Sequence, residues 1–197
     1  MSHYFINDES INSNEQMFQV EILNKNFKFL TDNGVFSKNE LDDATRLLIK
    51  TIAPIGFSGN ILDVGCGYGG LGLPIATFVE NSKIHMVDVN LRALELTKRN
   101  AKLNNITNVE IYESDCYEGV TTSFDHVISN PPIRAGKKVV HKILEESFNV
   151  LKAGGTLTIV IGKQHGAASA QKRMQEVFGN AEMIERKKGF WILQSVK

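Results

Sequence analysis

Residues 60–72, NILDVGCGYGGLG, limit the possible folds of this chain more than any other segment. An apolar stretch there runs directly into a glycine-rich turn, and apolar residues continue at helical spacing up to Val79. The glycines at positions 65, 67 and 70 match G-x-G-x-x-G, the turn that approaches a dinucleotide in parallel α/β sheets. The segment therefore predicts a strand–turn–helix unit with a ligand of the nucleotide type at the turn.

Strand and helix patterns alternate along the rest of the chain. Strands are expected near residues 60–64, 83–88, 108–112, 124–129, 155–161, 181–187 and 190–196. Helices are expected near residues 70–80, 90–104, 136–151 and 165–178. This alternation predicts an α/β fold with a doubly wound, mostly parallel seven-stranded sheet that ends in an antiparallel hairpin.

Residues 1–54 are predicted to form a small extension that packs on a core of residues 55–197, the whole being a single structural domain. Apolar residues alternate at 18–22 and at 27–30, which indicates a β-hairpin. Ser37 and Glu40 have the spacing of a capping box. They predict a helix that begins at Ser37 and runs towards Ile52.

Asp63 and Asp88 indicate the chemistry of the ligand. Asp88 ends the strand after the glycine motif, where an acidic residue binds ribose hydroxyls, so the motif taken alone predicts a dehydrogenase. Asp63, two residues before the first glycine, would repel a pyrophosphate and attract a cationic amine. S-adenosylmethionine (AdoMet) carries both an ammonium group and a ribose, and it fits these two residues better than a dinucleotide does.

A second motif at residues 130–133, Asn-Pro-Pro-Ile, follows another apolar strand. Proline has no N–H to donate to a sheet, so the strand must end there, and the residue before a proline is held extended. The side-chain oxygen of Asn130 and the Pro131 carbonyl can then converge on one point, which suits a bound NH2 group. Other strands are expected to end at acidic residues on the same edge of the sheet, namely Asp63, Asp88 and Asp115.

These motifs resemble the class I AdoMet-dependent methyltransferases that act on amino groups. The segment at 34–37, Gly-Val-Phe-Ser, with Leu41-Asp42 and Leu47-Leu48 after it, makes the chain similar to the small-subunit ribosomal RNA guanine-N2 methyltransferases. Two positions depart from the usual pattern of that family. Ile133 replaces a frequent aromatic residue, and Ala44 replaces a frequent glycine.

The resemblance implies a Rossmann-like fold, AdoMet as the methyl donor, S-adenosylhomocysteine as the product, no metal, and ribosomal RNA or the small ribosomal subunit as the partner. The implied catalytic residues are Asn130, Pro131, Pro132 and Ile133. The implied cofactor-binding residues are Asp63, Gly65, Cys66, Gly67, Gly69, Asp88, Val89, Asn90, Asp115, Cys116 and Asn130. The implied substrate-binding residues are Phe36, Arg134, Lys137 and Lys138.

Charge is distributed unevenly, although the formal net charge is zero. Residues 131–197 hold 12 Lys and Arg against 5 Asp and Glu, which predicts an anionic partner for the surface that they form.

Three features predict a cytoplasmic protein that does not enter a membrane. The sequence has only two cysteines, its first residues do not have the pattern of a signal peptide, and it contains no long apolar stretch. The five histidines show no ligand-like pairing with the cysteines, so we expect no metal site.

Several alternatives stay open. Asn-Pro-Pro is also found in methyltransferases that act on adenine in nucleic acid or on a glutamine of release factors. One alternative is not an enzyme, namely a non-catalytic, AdoMet-binding factor for RNA assembly. Another is a different class of enzyme, a dehydrogenase, because of the glycine pattern. The sequence does not give the oligomeric state, monomer or dimer.

Overall fold

The computed structural model describes residues 11–79 and 81–197. Residues 1–10 and Glu80 lie outside the described residues. The expectation that there is no signal peptide concerns the first ten residues, and Glu80 is the expected end of one helix. The strands, in chain order, are β1 (Gln16–Ile22), β2 (Lys25–Thr31), β3 (Asn60–Val64), β4 (Lys83–Asp88), β5 (Val109–Glu113), β6 (Phe124–Ser129), β7 (Leu151–Gly162), β8 (Glu182–Lys187) and β9 (Phe190–Val196). The α-helices are α1 (Asp43–Ile52), α2 (Gly72–Phe78), α3 (Leu91–Leu103), α4 (Lys137–Val150) and α5 (Ala167–Phe178).

A seven-stranded sheet with the order β5-β4-β3-β6-β7-β9-β8 forms the centre of the protein. Strands β3 to β7 pair in parallel, and β9 runs antiparallel to both β7 and β8. The predicted Rossmann-like, mostly parallel sheet with an antiparallel C-terminal hairpin is thus confirmed. No helix among the described residues is long and apolar enough to cross a membrane.

Helices cover both faces of this sheet. Buried side chains of α1, α2 and α3 share one apolar cluster with the N-terminal hairpin, and those of α4 and α5 belong to a second cluster. Alternate residues of β3 point to opposite faces, so Ile61 lies in the first cluster and Leu62 in the second. Burial on both faces explains why the strand sequences are almost continuously apolar.

The strand order reverses between β3 and β6. The chain runs outward from β3 to β4 and β5 in one direction, and from β6 to β7 in the other. Connections leave the carboxyl ends of β3 and β6 on opposite faces, which opens a crevice where ligands bind in folds of this type.

The hairpin of β1 and β2 is attached to α3 by two asparagine side chains. Asn100 accepts from the Leu30 N–H at 2.7 Å and donates to the Leu30 carbonyl at 2.9 Å. Asn104, one turn later, makes the same pair of bonds to Lys28, at 2.9 and 2.7 Å. The amides of α3 therefore pair with the outer edge of β2 as a neighbouring strand would.

Helix α1 begins later than the sequence predicts, and the capping box at Ser37 is wrong. An N-cap residue needs an extended backbone, whereas Ser37 has a φ of +53° and its hydroxyl donates to the Glu40 carbonyl. Asp42 caps the helix instead, with φ −64° and ψ 151°, and its side chain accepts from the N–H groups of Ala44 and Thr45.

Candidate functional site

A cavity of about 710 Å³ opens at the carboxyl ends of β3, β4, β5 and β6. Most of the residues that the sequence singles out line it, namely Phe36, Asp63, Gly65, Cys66, Gly67, Asp88, Val89, Asp115, Cys116, Asn130, Pro131, Pro132, Ile133 and Arg134. Four others, Gly69, Asn90, Lys137 and Lys138, lie outside the lining. One concave site thus brings together residues from four strand ends and from the loop before α1.

The glycine turn after β3 bends back over β4. Gly65 and Gly67 have φ values of +73° and +57°, which favour glycine over residues with a side chain. The N–H groups of Gly65 and Cys66 both donate to the Val87 carbonyl at 2.9 Å. The turn is thereby fixed, with its backbone facing the cavity.

Asp63 lies beneath this turn with only 1% of its surface exposed. Its Oδ2 accepts from the Gly72 N–H at 2.9 Å, whereas its Oδ1 is buried and has no partner among the described residues. Burial raises the pKa of Asp63 to about 8. Asp63 lines the cavity, and its unpartnered carboxyl oxygen fits the ammonium group of an amino-acid ligand such as AdoMet.

Gly72 allows this arrangement because a Cβ at its position would lie 2.8 Å from Asp63 Oδ2. In dinucleotide-binding folds, the first N–H groups of the helix after the turn face a pyrophosphate. Here the first N–H of α2 is already occupied by a carboxylate of the protein, which is unfavourable for an anionic ligand.

Asp88 is held at the end of β4 by the backbone of the turns beside it. Its Oδ2 accepts from the Gly67 N–H at 2.8 Å and its Oδ1 from the Asn90 N–H at 2.9 Å. Burial nevertheless raises the pKa of Asp88, against the effect of these bonds. The Val89 N–H also bonds to this carboxylate, so three of its roughly four acceptor positions are used and one is left for a ribose hydroxyl.

The side chain of Asn90, next to Asp88, has a structural role. Its side chain caps α3 by accepting from the Ala93 N–H at 3.1 Å, and it donates to the Gly34 carbonyl at 3.0 Å. The amide therefore ties the loop before α1 to α3, which explains why it does not reach the cavity.

The turn after β5 supplies Asp115 and Cys116. Cys116 has a φ of +56°, and burial raises the pKa of its thiol to about 12. Burial also raises the pKa of Cys66, so neither thiol is activated as a nucleophile. The ammonium group of Lys142 forms ion pairs with two carboxylates, Asp115 at 3.2 Å and Glu118 at 3.1 Å.

Asn130 follows β6 directly. The Ser129 hydroxyl donates to the Val64 carbonyl at 2.7 Å and joins the ends of β6 and β3. The side-chain NH2 of Asn130 donates to Thr45 Oγ1 at 2.9 Å and lies 3.4 Å from Asp42 Oδ2. Beyond it, residues 133–135 form a short 3-10 helix, closed by the Ala135 N–H, which donates to the Pro132 carbonyl at 2.9 Å.

Sequence reasoning assigned no site function to Asp42, Thr45, His165 or Phe190, which also line the cavity. Asp42 had a signal in the Leu41-Asp42 motif, but that motif does not say what the side chain contacts. His165 and Phe190 come from segments near the C-terminus in which no motif marks them. Within the described residues, no group of three His, Cys, Asp or Glu side chains is placed to hold a metal ion.

Basic residues lie in or next to the segments of the chain that line the cavity. Arg134 lines it and α4 begins at Lys137 and Lys138, while Lys163 follows the lining residue Gly162. We call Arg134, Lys137, Lys138 and Lys163 the basic rim. In the part of the chain that the structure describes, no carboxylate forms an ion pair with these four residues.

Comparison with known sequences gives one family match. The profile of the family described as "methyltransferase small domain" matches residues 26–194. The chain is 47% identical over 197 residues to "Uncharacterized protein YbxB" of Bacillus subtilis, covering 99% of this chain and 98% of that protein. It is 31% identical over 175 residues to "Ribosomal RNA small subunit methyltransferase C" of Hamiltonella defensa, covering 87% of this chain and 51% of that protein.

Among solved structures, the chain resembles the T. thermophilus 16S rRNA N2 G1207 methyltransferase (RsmC), which was determined in complex with AdoMet and guanosine. The TM-score is 0.84 at 23% identity, over 93% of this chain and 50% of that one. An identity this low supports the fold alone. The chain spans about half the length of the ribosomal RNA methyltransferases that it matches.

Proposed function

The chain belongs to the methyltransferase small domain family, and we propose that it transfers a methyl group from AdoMet to the exocyclic amine of a guanine in small-subunit ribosomal RNA. The observation that carries the proposal is a single cavity that contains Asp63, Asp88 and the turn at 130–133. The names of the relatives support ribosomal RNA as the substrate. The family match overturns the dehydrogenase alternative.

The residues at the ends of β3, β4 and β5 fit AdoMet. Asp63 Oδ1 would take the ammonium group, since this oxygen is buried and has no partner among the described residues. Asp88 would accept from a ribose hydroxyl, and the turn at Asp115 and Cys116 would receive the adenine. When bound, AdoMet supplies a methyl group that its sulfonium already activates.

The residues at 130–133 would hold the acceptor. The exocyclic amine of guanine is a poor nucleophile because its lone pair is delocalised into the ring. Two acceptors, the side-chain oxygen of Asn130 and the Pro131 carbonyl, would bind its two N–H groups, favour a pyramidal nitrogen and direct the lone pair at the methyl group. They would also stabilise the positive charge that develops on nitrogen.

Apolar side chains at the cavity would contact the base. Ile133 follows the two prolines, and Phe36 is 43% exposed at the cavity wall. The basic rim would bind phosphates on either side of the target nucleotide, because Lys and Arg side chains position nucleic acid through its backbone. Such an enzyme would act in the cytoplasm, as the sequence predicts.

Transfer of labelled methyl groups tests the proposal. Free 16S RNA and 30S particles, both lacking native methylation, are incubated with the protein and labelled AdoMet, and the nucleosides are analysed by mass spectrometry. We expect N2-methylguanosine, and a rate roughly a hundredfold or more lower for Asn130→Ala, the usual effect of removing one transition-state hydrogen-bond partner. Asn149→Ala, an exposed asparagine of α4, is the matched control and should retain full activity.

Other outcomes would point to the remaining alternatives. Methyladenosine in the digest would favour adenine as the acceptor, and label on a release factor but not on RNA would favour a glutamine. AdoMet binding without transfer to either substrate would favour a non-catalytic assembly factor.

A further inference from the structure

We propose that Thr45 and Asp42 are positioning residues that hold the Asn130 amide with its oxygen towards the reacting amine. The inference deepens the proposed function and rests on it, since it concerns how the acceptor is held. It also assigns a role in positioning Asn130 to the Leu41-Asp42 motif and to α1, which are far from the catalytic turn in the sequence.

The hydrogen bonds of Asn130 carry the proposal. Its NH2 group donates to Thr45 Oγ1 at 2.9 Å, and it lies 3.5 and 3.4 Å from the two carboxylate oxygens of Asp42. All three residues line the same cavity. The nitrogen end of the amide is thus directed at α1.

The orientation matters because the two ends of an amide are chemically opposite. The NH2 end only donates, the oxygen end only accepts, and a carboxylate such as Asp42 can only accept. With its NH2 end facing Asp42 and Thr45, Asn130 presents its oxygen on the other side. A flip of the amide would place an NH2 group against the amine of the substrate, and two donors cannot bond to each other.

Thr45 and Asp42 are themselves fixed by the start of α1. Asp42 Oδ1 accepts from the N–H groups of Ala44 at 3.0 Å and Thr45 at 3.2 Å, and Thr45 is only 5% exposed. Farther along α1, Leu48, Ile49 and Ile52 are fully buried against the sheet. A capped, packed helix therefore supplies a rigid partner for Asn130.

Two substitutions of Thr45 separate the hydroxyl from the packing. Thr45→Val keeps the branched shape and removes the acceptor, whereas Thr45→Ser keeps the hydroxyl. In single turnover with saturating RNA and AdoMet, we expect Thr45→Val to be about tenfold slower and Thr45→Ser to stay within about threefold of the wild type. Both variants should retain the wild-type dissociation constant for AdoMet.

A double-mutant cycle tests whether Thr45 acts through Asn130. If it does, Asn130→Ala combined with Thr45→Val should be no slower than Asn130→Ala alone. Rates that multiply would overturn the proposal, since Thr45 would then act independently. Three other results would overturn the proposal as well. These are a wild-type rate for Thr45→Val, a rate for Thr45→Ser that is as low as that of Thr45→Val, and a loss of AdoMet affinity in Thr45→Val that matches its loss of rate.

A spectroscopic measurement separates this proposal from the proposed function. The side-chain NH2 signals of Asn130 in a ¹⁵N spectrum are identified by their disappearance in Asn130→Ala. We expect slow exchange with solvent in the wild type and in Thr45→Ser, and fast exchange in Thr45→Val. If the wild type methylates no RNA, the proposed function fails, but these signals still decide whether the Asn130 amide is held in place. Fast exchange in the wild type would overturn the proposal that Thr45 and Asp42 position the amide.

Discussion

Asp63 is a carboxyl group that the fold buries before any ligand arrives. Its pKa of about 8 lies far above the ordinary value because burial outweighs the hydrogen bond from Gly72. Between the ordinary pKa and about 8, the folded protein binds a proton that the unfolded chain has released, so the Asp63 contribution to stability falls as the pH rises through that range. A ligand that brings a positive charge to Oδ1 would reverse this cost.

Binding of AdoMet should therefore depend on pH through Asp63. We expect the affinity to rise from pH 6 to 7.5, by up to about tenfold per pH unit, because ionised Asp63 binds the ammonium group and its proton is released. Calorimetry in two buffers of different ionisation enthalpy measures that proton. Asp63→Asn should bind AdoMet more weakly and without the proton release. A wild-type affinity that does not change with pH would contradict the placement of the ammonium group.

The N-terminal hairpin shows how a helix can complete a small sheet. Asn100 is fully buried and also donates to the Tyr68 carbonyl at 2.9 Å, so one side chain joins β2, α3 and the glycine turn. Asn104 makes the equivalent pair of bonds to Lys28, but it is only half-buried and both bonds are exposed. The two residues differ in burial and in the bond to Tyr68.

Asn100→Ala should lower the free energy of unfolding by about 2 kcal/mol or more, because it leaves the partly buried N–H and carbonyl of Leu30 and the buried carbonyl of Tyr68 without partners. Asn104→Ala should cost less than about 1 kcal/mol, since water can replace its bonds. Urea unfolding of both variants gives the comparison. Equal destabilisation of the two variants would show that burial does not determine the cost.

The elements differ in how far the sequence predicts them. The strand ends at Asp63, Asp88 and Asn130 are predictable because strand patterns are local and parallel strands end at the same edge. The start of α1 is not, because Ser37 and Asp42 are both good capping residues and only the positive φ of Ser37 decides between them. The contacts of Thr45 and Asn100 are not predictable either, since they join segments that are distant in the chain.

The cavity lies where the acidic and basic parts of the protein meet. The first two thirds of the chain supply the acidic residues Asp63, Asp88 and Asp115, and the last third supplies the basic rim. Under the proposed function, an ammonium ligand and a polyanion would bind side by side, each beside charges of the opposite sign. A formal net charge of zero conceals this division.

Reversing charge on the basic rim should weaken RNA binding and leave AdoMet binding unchanged. We expect Arg134→Glu and Lys137→Glu each to reduce the slope of log affinity against log salt by about one for every phosphate group that the variant no longer binds. Lys102→Glu, an equal change of charge at an exposed position of α3, is the control. Filter binding at several salt concentrations measures the slopes. Unchanged slopes in both rim variants would favour a protein substrate.

The pairing of Asn100 and Asn104 with β2 also limits what the hairpin can do to other molecules. An outer strand with free N–H and carbonyl groups can recruit a strand from a second chain, which is a common start of aggregation. Here the two asparagines occupy those groups at Lys28 and Leu30. Without both amides, the N–H and carbonyl groups of Lys28 and Leu30 would be free to pair with a strand of another chain.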